Sequence, residues 1–227
     1  MTALYKGMGF FTGIALMVIL LISSTEFVAY YMNGYFEKEY TKYQVTEEIS
    51  IEMDDLLNVT DEMMDYLKGN REDLVIYTKI GNTEREFFNA KEKKHMQDVQ
   101  KLFLDAQQIR FGAILFAILV SVWLLYLKKG RYLLKGIQWG IFGFMALIGI
   151  LAGLMAYNFN RYFTLFHLLL FNNDDWILNP NTDLLINIVP EGFFRDTAFW
   201  IAGLFIAGAL LIWLMAWILL KGIKTGE

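Results

Sequence analysis

Hydrophobic positions gather into four long blocks, Met8 to Ala29, Ile109 to Leu127, Leu133 to Tyr157 and Thr197 to Leu220. Each approaches or exceeds the ~20 helical residues that a hydrocarbon core requires. The pattern predicts a mainly α, polytopic membrane protein with four transmembrane helices. The first block follows Lys6 as a signal-peptide h-region would. It runs on through Ser23, Ser24 and Thr25 to Tyr30 without an A-x-A site, so an uncleaved helix is expected.

Basic residues set the expected orientation. Lys128, Lys129, Arg131 and Lys135 crowd the connection between the second and third blocks with no acid among them, and Lys6, Lys221 and Lys224 lie beyond the outer ends. Lysine and arginine collect on the cytoplasmic side, so both termini are expected there. The chain then divides into 1–31, a transmembrane helix with a short tail, and 32–108, an extracytoplasmic domain. Residues 109–157 form two transmembrane helices around the basic loop, 158–196 an apolar extracytoplasmic or interfacial segment, and 197–227 the last helix and its tail.

Residues 32–108 are too many for a bare connector, and a small, mostly helical cap is expected. Thr46, Glu47 and Glu48 read as a helix start, with a broken apolar stripe from Ile49 through Met53, Leu56, Met63 and Leu67 to a stop at Gly69-Asn70. Leu74 to Ile80, closed by Gly81-Asn82, predicts a short strand. Thr83-x-x-Glu86 has the form of a capping box and predicts a helix running towards the second block. On that helix Phe88, His95, Val99, Leu102 and Ala106 share a face, with Glu92 and Asp98 about 60° to either side of His95. A site at the membrane would need this helix to turn, and a break is expected between Asp105 and Phe111.

The 158–196 segment is apolar for a loop. Phe163, Leu165, Phe166, Leu168, Leu169, Leu170 and Phe171 surround His167 and are followed by Asn172-Asn173-Asp174-Asp175-Trp176. Such a segment is expected in the outer leaflet or over the helix bundle, with Trp176 at headgroup depth. An imidazole in these surroundings is expected to be neutral, because desolvation disfavours the cation.

Composition narrows the chemistry. Apolar residues make up 56% of the chain and the mean hydropathy is +0.38, high for a soluble domain of this size. The absence of cysteine excludes disulfides, thiolate metal sites and a cysteine nucleophile. The net charge of −4 carries little information because the charges are segregated, and neither a nucleic-acid partner nor a cofactor is expected. The two histidines, His95 and His167, both fall in the outer segments with no serine near either. Imidazole and carboxylate are then the tools for any catalysis. Alternatives stay open at this level. Each histidine also fits a hydrogen-bonded packing residue, Glu92-x-x-His95 has the spacing of a metal-ligand pair, and Glu26 fits either a snorkelling residue or a site group at the outer interface.

Two motifs sharpen the reading. Glu92-x-x-His95-x-x-Asp98-Val99 precedes the second block. Phe166-His167-x-x-x-Phe171-x-x-x-Asp175-Trp176-x-Leu178-x-Pro180-x-x-Asp183 precedes Pro190-x-x-Phe193-Phe194-x-Asp196. Together with the four-span plan and the length, they resemble the lipoprotein intramolecular transacylase family of bacterial membrane proteins. The resemblance implies an O-to-N acyltransferase that moves the sn-2 acyl chain of a diacylglyceryl-modified N-terminal cysteine onto the cysteine α-amine. It implies diacylglyceryl lipoproteins and membrane lipid as partners, no outside acyl donor, and His95 and His167 as the catalytic pair. Glu92, Asp98, Asp175, Trp176 and Glu26 are carried as candidates to orient the histidines or bind substrate. A metal-dependent membrane hydrolase using Glu92, His95 and His167, or a lipid- or lipoprotein-binding protein, remains the alternative.

Overall fold

The computed structural model describes residues 1–223, so Lys224 lies outside the described residues. The elements in order are α1 (Thr2–Glu26), a π-helical turn (Phe27–Tyr31), α2 (Tyr35–Lys42), α3 (Val45–Ile49), α4 (Met53–Leu67), β1 (Tyr77–Ile80), β2 (Thr83–Glu86), α5 (Ala90–Tyr126), α6 (Gly130–Tyr157), α7 (Phe159–Leu170), α8 (Leu184–Ile188) and α9 (Glu191–Gly222). Among the described residues four helices are long and apolar enough to cross a membrane: α1 with its π turn, α5, α6 and α9. The fold is mainly α, as the hydrophobic blocks predict.

By internal contacts the chain forms two compact units. One comprises Met1–Thr25, Gln107–Phe166 and the chain from Ile201 onward. Its core gathers Met17, Leu124, Leu133, Ile137, Phe205 and Ala209, while Leu119, Val122, Phe142 and Leu210 are exposed, the inside-out exterior of a lipid-facing bundle. Without water to drive association, helices in a bilayer pack through small residues. Here Gly9 and Gly13 of α1 meet Gly136 and Gly140 of α6, each pair spaced i,i+4. A Cβ on Gly136 would fall on the backbone of Gly9 and Phe10, and one on Gly9 would stand 2.6 Å from the Tyr132 carbonyl oxygen. Gly136→Ala therefore forces the helices apart and is expected to cost about 1–3 kcal/mol. Thermal unfolding of the purified protein, followed by tryptophan fluorescence, checks this; Gly149→Ala, where a Cβ meets nothing, serves as the neutral control.

The other unit comprises Glu26–Ala106 and His167–Trp200. Tyr40, Val45, Leu56, Val59, Phe88 and Ile188 are sealed in its core, and the Tyr40 hydroxyl meets Thr60 Oγ1 at 2.7 Å. Phe193 stacks against Phe36 and Tyr40, while Asp196 accepts a hydrogen bond from the Tyr43 hydroxyl and pairs with Lys42. These contacts give the Phe193-Phe194-x-Asp196 motif a structural task, tying the start of α9 to α2.

Three local expectations are corrected. The helix expected from Thr46 is interrupted. Ser50 takes a left-handed conformation (φ 57°), so α3 ends there and α4 begins afresh at Met53. Thr83 to Glu86 does not open a helix. Gly81, with φ 60°, makes a two-residue turn with Asn82, and Thr83–Glu86 returns as a strand antiparallel to β1 with Ile80 opposite Thr83. Gly-Asn between β-capable residues is a hairpin signal, and it overrides the capping-box pattern that follows. Finally, no break separates Asp105 from Phe111. Asp-Ala-Gln-Gln-Ile-Arg contains neither proline nor glycine, and α5 runs without interruption for 37 residues. Its charged residues, Lys91 through Arg110, occupy the first part, and the uncharged span begins at Phe111.

Candidate functional site

The N-terminus of α5 is built by a different capping box from the one expected. Asn89 Oδ1 accepts the N–H groups of Lys91 (2.9 Å) and Glu92 (3.0 Å), and Glu92 Oε2 accepts the Asn89 N–H at 2.7 Å. This reciprocal arrangement satisfies amides that the first helical turn leaves without partners. Glu92 is 1% exposed, and its second oxygen accepts the Leu185 N–H at the start of α8 (2.6 Å). Burial pushes its carboxyl up, opposed by the amides that hydrogen-bond the anion. Asn89 Nδ2 donates to Asp183 Oδ1 (2.9 Å), and Asp183 Oδ2 accepts the Asn179 N–H (2.7 Å). Glu92 thus directs both oxygens at backbone amides rather than at the His95 ring. It joins the start of α5 to the segment that follows His167.

One turn further along α5, His95 is buried, as the centre of the apolar stripe requires. His167, near the end of α7, is buried as well, and the two ring centroids lie 6.1 Å apart. Phe171 touches both rings, edge-on to His95 at 5.4 Å and tilted against His167 at 5.5 Å. Trp176 stacks on His167 at 4.7 Å with an interplanar angle of 27°. Two nitrogen atoms in this cluster, His95 Nδ1 and Trp176 Nε1, are buried without a hydrogen-bond partner among the described residues. A buried polar atom left unpaired costs about 1–3 kcal/mol, so both nitrogens are open to a partner from outside the described residues.

The carboxylates take two positions. Asp98 accepts from Asn173 Nδ2 (2.8 Å), and Asn173 Oδ1 in turn accepts the Asp175 N–H (3.0 Å), so α5 holds the loop that carries Trp176. Asp98 and Asp175 both act electrostatically on His95. Glu26, at the end of α1, neighbours Tyr30, whose ring packs on Phe103 about 12 Å of helix rise beyond His95. Among the described residues no group of three or more His, Cys, Asp or Glu side chains is arranged to hold a metal ion.

Burial, together with the neighbouring His167, lowers the His95 pKa from 6.5 to about 4, against the opposing pull of Asp98 and Asp175. His95 is therefore a neutral base at physiological pH. The folded pKa lies below the unfolded one, so the unfolded chain binds more protons between pH 6.5 and about 4. Stability present above pH 6.5 is lost as pH falls through that window. With only two histidines in the chain, NMR of 13C-labelled imidazole resolves each ring. One resonance is expected to remain in the neutral form at pH 6 and to titrate near 4; its loss in His95→Gln assigns it.

Asn89 and Asn173 join the site beyond the residues singled out from sequence, and Phe171 and Asp183, both in the second motif, gain partners there. Asn89-x-x-Glu92 was legible as a capping box in competition with Thr83-x-x-Glu86. Asn173 carried no local signal, because its partner lies 75 residues away.

The family described as "Lipoprotein intramolecular transacylase Lit" matches residues 10–194. No curated protein sequence matches the chain significantly. Among solved structures, the membrane-integral lipoprotein intramolecular transacylase Lit from Bacillus cereus aligns over 100% of both chains with a TM-score of 0.79 and 21% identity. Two forms of that protein with a single histidine replaced, by arginine or by alanine, align with TM-scores of 0.77 at 21% identity, covering 99% of this chain and 96% and 97% of theirs. The chain is a multi-pass membrane protein and belongs to the lipoprotein intramolecular transacylase family, a family of acyltransferases.

Proposed function

We propose that this protein moves the sn-2 acyl chain of a diacylglyceryl-modified lipoprotein cysteine onto the cysteine α-amine, with His95 and His167 as acid and base. The observation that carries the reading is the convergence of the chain's two histidines, from segments 72 positions apart, into one buried cluster with His95 Nδ1 and Trp176 Nε1 unpaired. The amine nitrogen attacks the ester carbonyl carbon. The C–N bond forms as the carbonyl becomes a tetrahedral oxyanion, and the C–O bond to glycerol then breaks. The proton leaving nitrogen ends on the sn-2 oxygen, so the exchange is neutral overall. His95, held neutral with Nδ1 open, takes the proton from nitrogen and passes it on to His167, which delivers it to the leaving oxygen, so both rings end as they began. The Trp176 indole N–H is the donor available to the oxyanion. Donor and acceptor belong to one molecule, so folding the headgroup until amine meets ester supplies much of the acceleration. A covalent acyl-enzyme is unnecessary.

In this reading Asp98 and Asp175 set the field at His95 and hold the Trp176 loop, and Glu92 fixes α5 against α8. The acid-free basic loop between α5 and α6 supports cytoplasmic termini, which puts residues 32–108, 158–196 and the histidine site at the extracytoplasmic face. The metal-hydrolase alternative loses ground because Glu92 is committed to two amides.

An isotope crossover tests the proposal. Two synthetic diacylglyceryl lipopeptides, one with a deuterated sn-2 chain and the other with a deuterated peptide, are mixed with purified protein. Each label is expected to stay within its own molecule in the N-acylated product. Scrambled products would replace the intramolecular reading with a two-step transfer, and absence of N-acylation would remove it.

A further inference from the structure

The unit that contains α1, α5 and α6 has a second feature in which the histidine chemistry plays no part. Where the first turns of α1 and α6 meet the α5–α6 connection there is a cavity of about 1070 Å³. Lys6, Lys128, Lys129, Arg131 and Lys135 line it, and among the described residues no carboxylate does. Among the described residues none of these five cations forms an ion pair, although the chain as a whole carries a net charge of −4. Like charges concentrated in a concave site repel one another unless an anion is present.

The walls are preformed. Gly136 lies on the backbone of Gly9 in the close α1–α6 crossing, so part of the cavity wall is main chain. Lys128 adopts a left-handed conformation (φ 58°), and its N–H is bonded to the Leu125 carbonyl while that of Lys129 bonds Leu124. The turn that presents the lysines is fixed by its own hydrogen bonds.

The cavity also has a direction. Arg131, Lys135 and Trp139 recur every four residues on α6 and share one stripe. Phe142, one turn beyond, meets Trp139 edge-on at 5.9 Å. Trp139 and Phe142 are each 66% exposed on a membrane-embedded helix. The stripe passes from guanidinium to ammonium to indole to phenyl, the order in which a phospholipid passes from phosphate to glycerol to acyl chain. A free phosphate would use only its charged end.

We propose that this cavity binds the phosphate headgroup of an anionic glycerophospholipid, with the acyl chains lying along Trp139 and Phe142. Basic pockets between transmembrane helices are a known physical solution for anionic headgroups, and each nearby lysine or arginine contributes roughly fivefold in affinity. The proposal does not depend on the reaction at the histidines.

Native mass spectrometry of the full-length protein in detergent tests it, with phosphatidylglycerol and phosphatidylcholine of identical acyl chains as probes. Phosphatidylglycerol is expected to bind preferentially. Neutralising two cations on the exposed face of α6, Arg131→Gln with Lys135→Gln, is expected to weaken it by about 25-fold. Arg131→Lys with Lys135→Arg keeps the charge and is expected to retain binding, which separates charge from folding. Trp139→Ala is expected to weaken phosphatidylglycerol, and millimolar inorganic phosphate is expected not to displace it. Equal binding of the two lipids, or undiminished binding in the neutralised variant, would overturn the proposal. Displacement by phosphate with no effect of Trp139→Ala would assign the cavity to a free anion and overturn the lipid.

Discussion

His95→Ala and His167→Ala are each expected to lower the transacylation rate by at least about 10³-fold, within the range that positioned general acids and bases contribute. Two histidines acting on one proton exchange form a unit, so the double variant is expected to lose little more than either single one. Stability separates this result from a packing role. Among the described residues His95 Nδ1 has no hydrogen-bond partner to lose, and its ring contacts are with the apolar Phe171 and with His167. The melting temperature of His95→Ala is therefore expected to stay within a few degrees of wild type, and the protein to accumulate normally in the membrane. A large fall in both accumulation and melting temperature, with activity per folded molecule preserved, would make the histidines packing residues. Single-turnover rates on a synthetic lipopeptide, normalised to folded protein, provide the comparison.

Glu92→Ala is expected to fail in the opposite manner. Removing the carboxylate strands the buried Leu185 amide, at about 1–3 kcal/mol, and takes the capping acceptor from the part-buried Asn89 amide, at about 0.5–2 kcal/mol. Stability is expected to fall by about 2–5 kcal/mol. Glu92→Gln keeps one acceptor oxygen and is expected to lose roughly half as much. Glu92 connects the helix bearing His95 to α8, beyond the Trp176 loop, so the residual activity of these variants is expected to fall through a lower turnover number. A KM effect alone would place Glu92 in substrate binding. Thermal melting together with separate turnover and KM values distinguishes the two roles.

What the chain made legible follows the range of the forces involved. The four spans were readable because burial in lipid acts on every residue of a helix and so writes itself into long blocks. The burial of His95 followed from the 3.6-residue period, although Phe88, counted on the same stripe, precedes α5. Local punctuation was harder, because signals compete at short range. Thr83-x-x-Glu86 and Asn89-x-x-Glu92 are both capping patterns, and the Gly81-Asn82 turn decided between them by folding Thr83 back against Ile80. The break expected near Asp105 was inferred from where a site ought to lie, with no breaker residue in the sequence to produce it. The long-range ties were not legible at all. Nothing in Asn173 announces Asp98, and nothing in Leu185 announces Glu92, since each contact joins segments brought together only by the completed fold. The glycine pairs of α1 and α6 stood in plain view at their i,i+4 spacing, but which helix would meet which is a tertiary fact.

The most direct test of the account is mass spectrometry of the N-terminal lipopeptide of a lipoprotein, from bacteria that lack N-acylation and express the wild type, His95→Ala or His167→Ala. The account predicts N-acyl S-monoacylglyceryl cysteine with the wild type and unaltered diacylglyceryl cysteine with both variants at equal membrane abundance. Conversion by either variant at the wild-type rate, or an unaltered lipopeptide with the wild type, would contradict it.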